Sequence, residues 1–207
     1  IQLLQEMGYE VHVACNFLKG STCTPDRIQN LKKKLQEMGV KFFQIDFSRN
    51  IFKVKELLKA YKQVRILLQR GDYDFIHCHS PIGGAIGRIA AHETHTKVIY
   101  TAHGFHFYKG APLQNWIMYY PVEKWLSRYT DILITINRED YQRAKRKFYA
   151  KETKFVPGVG INIDKIQAVQ VDREIKRNEL GIGKDDLFLL SVGELNKNKN
   201  HEVVIRA

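Results

Sequence analysis

The sequence predicts an α/β fold built on a parallel, doubly wound sheet. Short β-rich runs alternate with stretches of helical periodicity, and glycine closes helix after helix. Strands that alternate with helices return to the sheet in parallel, so both sheet faces are expected to be covered.

The elements follow in order. Ile1, Leu3, Leu4 and Met7 lie at helical spacing and end on Gly8, with no capping residue before them. Val11 to Cys15 is the first strand of the chain. Thr24-Pro25 opens a helix with Ile28, Leu31 and Leu35 on one face, closed by Gly39. Val40 to Ile45 repeats the strand. A helix from about Phe52 to Arg70 is expected to bury Leu57, Leu58, Tyr61, Val64, Leu67 and Leu68 before Gly71 ends it. Further strands are expected at Phe75–His79, Val98–Ala102, Ile132–Ile136, Lys154–Val156 and Leu187–Val192, with a helix over Ala85–Ala91 and another starting at His201. Turn residues at Pro157-Gly-Val-Gly160 interrupt this rhythm. The expected division is a first domain over 1–160, a linker over 161–185 and the start of a second domain over 186–207. Both ends read as cut, with the first strand of the sheet expected upstream of Ile1.

Composition narrows the class without choosing a function. The 207 residues are 44% hydrophobic and 27% charged, which excludes collagen-like and disordered chains. Lys+Arg 33 against Asp+Glu 22 gives a net charge of +11. That surplus favours an anionic partner: nucleic acid, an acidic membrane surface or a phosphorylated small molecule. Cys15, Cys23 and Cys78 show no C-x-x-C spacing, which argues against a disulfide framework or a cysteine zinc site and for a reducing cytosol. No apolar run approaches the ~18–20 residues of a spanning helix.

Ligands of such sheets sit at the carboxyl ends of the strands, and four segments there carry chemistry. In His77-Cys-His79-Ser-Pro-Ile-Gly83-Gly84, a strand runs into a glycine loop and helix whose N–H groups suit an anion or a sugar hydroxyl. Glycines for close helix–sheet packing are the competing reading, above all for Gly87. A dinucleotide fingerprint fails because Ile82 stands where glycine is required. Thr101-Ala-His103-Gly-Phe105-His106 follows the next strand. His77, His79 and His103 allow a metal-dependent hydrolase, although neither segment supplies a carboxylate. His103, between small residues, is the histidine best placed to meet substrate. Tyr108 to Tyr129 crowds Trp116, Ile117, Tyr119, Tyr120 and Trp125 among Lys109, Lys124 and Arg128, suiting either a membrane–water interface or a core helix bent at Pro121. Lys145 to Lys147 reads as a solvated face. Gly193-Glu-Leu-Asn-Lys197-Asn-Lys199 offers lysines for a phosphate. A basic nucleic-acid-binding module is a further alternative, but it lacks a reading motif.

Taken as an ordered series, Gly8 to Ala14, Asp74 to Pro81, Thr101 to Tyr108, Asp131 to Asn137 and Gly193 to Lys199 resemble the glycosyltransferase family 4 enzymes of the GT-B fold, nearest to bacterial exopolysaccharide and capsular members. The resemblance spans essentially the whole chain. It implies two Rossmann-like domains, an acceptor-side one first and a nucleotide-sugar-binding one second. It also implies transfer with retention of anomeric configuration, without metal or cofactor, from a UDP-sugar most readily. His103 matches the family histidine that meets the transferred sugar or acceptor, and His79, Gly83, Gly84 and Phe105 are expected beside it. Lys199, assisted by Lys197, matches the lysine that neutralises the donor diphosphate. Glu194 stands where the family has an arginine. A polyprenyl-diphosphate-linked glycan is the implied acceptor, which places the protein in the cytoplasm, peripheral on an anionic membrane. The 207 residues alone are expected not to turn over.

Overall fold

A computed structural model describes residues 1–18, 23–158, 160–161, 163–196 and 199–207. The chain forms two units, Ile1–Val159 and Gly160–Ala207. In the first, the order is α1 (Gln2–Glu6), β1 (His12–Cys15), α2 (Pro25–Glu37), β2 (Lys41–Gln44), α3 (Val54–Gly71), β3 (Phe75–Cys78), α4 (Pro81–Thr94), β4 (Lys97–Ala102), α5 (Leu113–Leu126), β5 (Ile132–Thr135), α6 (Arg138–Lys147) and β6 (Glu152–Phe155).

Local chemistry sets the helix starts. Thr24 accepts a hydrogen bond from the Arg27 N–H with Pro25 in the first turn, and Ser80 accepts from Gly83 with Pro81 in the same place. Asn137 accepts from the Asp140 N–H, while Lys145, Arg146 and Lys147 occupy the last turn of α6. There they complement the carbonyl end of the helix.

All strand pairs are parallel, but the expected single sheet is two sheets: β1 with β2, and β3-β4-β5-β6. Between β1 and β3 lies a cavity of about 600 Å³, lined by residues of both strands and of α3. Tyr9 meets Phe75 edge-on at 5.5 Å, and His12 Nδ1 lies 2.7 Å from the Tyr73 hydroxyl. Side-chain contacts join the two sheets where a backbone ladder would otherwise run.

Three apolar clusters hold the unit together. Ile45, Ala60, Val64, Leu68, Ile86, Ala90 and Val98 pack α3 and α4 with β4. Tyr100, Phe105, Phe107, Leu133 and Ala144 form a second cluster, closed by Trp116, Tyr120 and Phe148; Phe17, Leu35 and Val40 form the third. The buried stripe of α3 runs through Ala60, Val64 and Leu68 at four-residue spacing, so Leu58, expected inside, is exposed. Leu31 of α2 is exposed for the same reason, with Leu35 at the centre of the buried face.

Helix α4 begins earlier than the expected Ala85, so Gly83, Gly84 and Gly87 belong to the helix rather than to a loop before it. A Cβ on Gly84 would stand 2.6 Å from the Tyr100 ring, and one on Gly87 2.6 Å from Cys78 Sγ. Tyr100 is itself pinned, because the fully buried Arg88 guanidinium lies over its ring at 4.1 Å. Gly84→Ala is therefore expected to cost about 1–3 kcal/mol by overpacking, despite alanine's better helix propensity. Urea denaturation measures it, and a stabilised variant would refute the packing role.

The second unit contains α7 (Ile163–Gln167), α8 (Arg173–Glu179) and α9 (His201–Arg206). Asp172 caps α8 through the N–H groups of Glu174 and Ile175. The strand expected at Leu187–Val192 is absent among the described residues, and Leu187, Leu190 and Val192 are exposed. A lone strand has no ladder partner and no sheet face to bury its side chains, so the propensity of this run is not realised.

Candidate functional site at the strand ends

The register of β3, β4 and β5 brings three chain segments level at their carboxyl ends, where the histidines collect. Cys78 pairs with Tyr100 and Ala102 with Thr135, which places His79 and His103 just beyond adjacent strands. His77 Nε2 lies 2.8 Å from Thr101 Oγ1. The His77 and His79 rings lean together at 4.1 Å between centroids, and His79 Nδ1 lies 3.4 Å from His103 Nε2. The result is a row of three imidazoles, each with an edge open to solvent, ending at His103.

The row is not a set of like charges. Burial, then the neighbouring His79 and His103, pushes the His77 pKa down to about 4. Burial and His103 also lower that of His79. A neutral imidazole offers one donor and one acceptor, which suits His77 beside the Thr101 hydroxyl and His79 beside His103. By linkage, a histidine held below its ordinary value adds stability at neutral pH. That contribution is lost as pH falls from about 6.5 toward 4, because the unfolded chain binds the proton first. An NMR titration is expected to show the His77 ring neutral down to about pH 4; a midpoint near 6.5 would contradict the arrangement.

The loop after β4 is fixed by α6. Gly104 has φ of +129°, a conformation open to glycine, and turns the chain away from His103. The Phe105 N–H donates to Asp140 Oδ2 at 2.9 Å, and Asn137 Nδ2 donates to the same oxygen at 2.7 Å. Arg143 donates to the Phe107 carbonyl, and Glu139 accepts from the Lys109 N–H. Asn137, Glu139, Asp140 and Arg143 thus hold the loop that presents His103. The sequence reading missed them as site residues. The one local signal is the asparagine followed three positions later by aspartate, a spacing that suits a helix start and says nothing of the loop after β4.

The remaining expected residues fall in different places. Gly83 gives its N–H to Ser80 Oγ and Gly84 gives its own to the Ser80 carbonyl, so these amides serve the start of α4. Phe105 is buried, stacked on Phe107 at 4.8 Å, with its ring inside the core. His79, Ser80 and Gly83 also line the end of the cavity between β1 and β3. Among the described residues, no group of three or more His, Cys, Asp or Glu is arranged to hold a metal ion. In the second unit the Lys199 N–H donates to Asn196 Oδ1, whose amide donates to Glu194. The Lys199 side chain is exposed, and Lys197 lies outside the described residues.

A parallel α/β unit with a histidine at a strand end is a frame for binding and orienting polar groups, and comparison with known proteins gives it a class. Residues 1–157 match the model of the glycosyl transferase 4-like domain, and the chain belongs to that family. Among individual relatives, it is 43% identical over 208 residues to EpsD of Bacillus subtilis (strain 168), a glycosyltransferase by name, covering 98% of this chain and 50% of the relative. It is 29% identical over 165 residues to the Escherichia coli UDP-Gal:alpha-D-GlcNAc-diphosphoundecaprenol alpha-1,3-galactosyltransferase, covering 77% of this chain and 41% of that protein. The chain thus spans about half the length of the curated relatives it matches. A solved sucrose-phosphate synthase from Thermosynechococcus elongatus superposes with a TM-score of 0.64 at 15% identity, over 95% of this chain and 58% of that one, and shares the GT-B fold. No helix among the described residues is long and apolar enough to cross a membrane.

Proposed function

We propose that the chain supplies the acceptor side of a retaining glycosyltransferase that moves a sugar from a nucleoside-diphosphate donor to a lipid-linked glycan, in the assembly of an exopolysaccharide or capsule. The carrying observation is the exposed His103 at the end of β4, backed by neutral His77 and His79, within the residues that match the family. An imidazole so held hydrogen-bonds a sugar hydroxyl or a departing oxygen without acting as nucleophile. Lys199 is the proposed contact for the donor diphosphate, where a cation stabilises charge developing on the leaving group. The printed name of the Escherichia coli relative, with its UDP-sugar and undecaprenol-linked acceptor, supports this substrate class.

The test uses the chain completed at both ends and a panel of UDP- and GDP-sugars, with transfer into lipid-extractable glycan as the readout. One donor is expected to be consumed and its anomeric configuration retained in the product by NMR. A folded protein that neither binds a nucleoside diphosphate nor transfers any sugar would overturn the proposal.

A further inference from the structure

Strands β3 and β4 repeat one side-chain relation along their length. Side chains alternate across a strand, so residues two apart share a face. His77 is level with Ile99 in the parallel ladder, yet its ring reaches two residues forward to Thr101 Oγ1 at 2.8 Å. One step further along both chains, the His79 ring reaches His103 in the same way, Nδ1 to Nε2 at 3.4 Å and across the same separation of 24 residues. The contact between these two histidines is therefore set by the register of the strands that carry them.

His77 also fixes the plane of the His79 ring. Thr101 is buried and holds His77 Nε2, and the two imidazoles lie with centroids 4.1 Å apart, tilted by 36°. Burial and the neighbouring His103 hold the His79 pKa below its ordinary value, so His79 is neutral at neutral pH. A neutral imidazole carries one proton, and the contact with His103 then has two forms. In one, the His103 Nε2–H donates to a bare His79 Nδ1. In the other, the His79 Nδ1–H donates to a bare His103 Nε2. A free histidine side chain prefers its proton on Nε2. The first form gives both rings that preference, and the second denies it to both.

We propose that His79 is a positioning residue, which holds His103 as the Nε2–H tautomer so that His103 presents a bare Nδ1 to a hydroxyl of the sugar. The proton on one nitrogen of a histidine is placed by what the other nitrogen meets, and here the strand register supplies the partner. The 3.4 Å separation belongs to the unliganded protein; hydrogen bonds of this kind tighten when substrate is bound. A bare nitrogen accepts, so the group that His103 recognises is a hydroxyl that donates rather than a departing oxygen. In naming that group the inference rests on the function proposed above. The tautomer itself is a property of the protein without substrate.

Long-range proton–nitrogen NMR of the 207-residue chain, labelled at histidine and held at about pH 8 where imidazoles are neutral, reads the tautomers directly. His103 and His79 are both expected in the Nε2–H form. His79→Ala is expected to release His103 to the mixture of tautomers seen in free histidine. His79→Asn, whose Oδ1 stands where Nδ1 was, is expected to keep His103 as Nε2–H. In the chain completed at both ends, His79→Ala is expected to lower kcat/KM by about tenfold to a hundredfold, the usual effect of losing a group that orients a working imidazole. His79→Asn should recover most of that loss, and His79→Ala added to His103→Ala should cost nothing further. A proton on His103 Nδ1, a tautomer balance unmoved by His79→Ala, or losses that multiply in the double variant would each overturn the proposal; the last would show His79 touching substrate itself. If the tautomers are as expected while the completed enzyme transfers no sugar, the functional reading fails and the positioning of His103 by His79 stands. Sugar transfer with His103 in the other tautomer has the reverse meaning.

Discussion

Replacing Arg88 by methionine is expected to lower the stability of the fold by about 3–5 kcal/mol, the largest effect of any single substitution considered. Arg88 is 0% exposed and makes a bidentate pair with Glu123, Nη1 at 3.0 Å and Nη2 at 3.1 Å, while its Nε donates to the Gly84 carbonyl. Its guanidinium also covers the ring of Tyr100. One side chain therefore joins α4, α5 and β4. Methionine fills much of the volume but leaves the Glu123 carboxylate buried without its counter-ion, and that uncompensated charge drives the loss. The double variant Arg88→Met with Glu123→Leu removes both charges and is expected to recover most of the stability. Urea denaturation of the three proteins decides it. A single variant that costs less than about 1 kcal/mol would show that Glu123 reaches water when Arg88 is gone.

Turnover should respond most to His103→Ala in the chain completed at both ends. If His103 hydrogen-bonds the reacting sugars, its loss is expected to reduce kcat/KM by about a hundredfold to a thousandfold, the usual effect of removing one preorganised hydrogen bond. Stability should hardly change, because His103 is exposed and its structural contact is the 3.4 Å approach to His79. His103→Asn, which keeps a donor and an acceptor, is expected to restore part of the rate. Activity within a factor of two of the unmodified enzyme would remove His103 from the reaction.

Part of this was legible in the chain itself. The strand starts and ends follow from apolar runs bounded by glycine and aspartate, and β1 through β6 all form within two residues of where the sequence puts them. The start of α2 at Thr24-Pro25 was equally plain, since capping is chemistry between residues two or three apart, whereas the Ser80 cap went unread and α4 starts before the expected Ala85. Signals that depend on distant partners read less well. Leu187 to Val192 has the composition of a strand and forms none, because composition does not provide a neighbouring strand. Phe105 and Gly84 stood in motifs that suggested ligand contact, yet their surroundings are Phe107 and the Tyr100 ring.

The sequence by itself determined the alternation of elements, the parallel sense of their pairing, the cluster of histidines past two strands and the family they resemble. These are properties of local periodicity and of ordered motifs. Only the tertiary structure decided that β1 and β3 border an open cavity, that Asp140 grips the loop carrying His103, and that α5 hides its one carboxylate and exposes its second apolar face. Each of those facts joins residues from different elements, or depends on which half of a helix the core covers. With apolar residues on both sides of α5, periodicity could not choose the inward face; packing of Trp116 and Tyr120 against Phe107 and burial of Glu123 beside Arg88 made that choice.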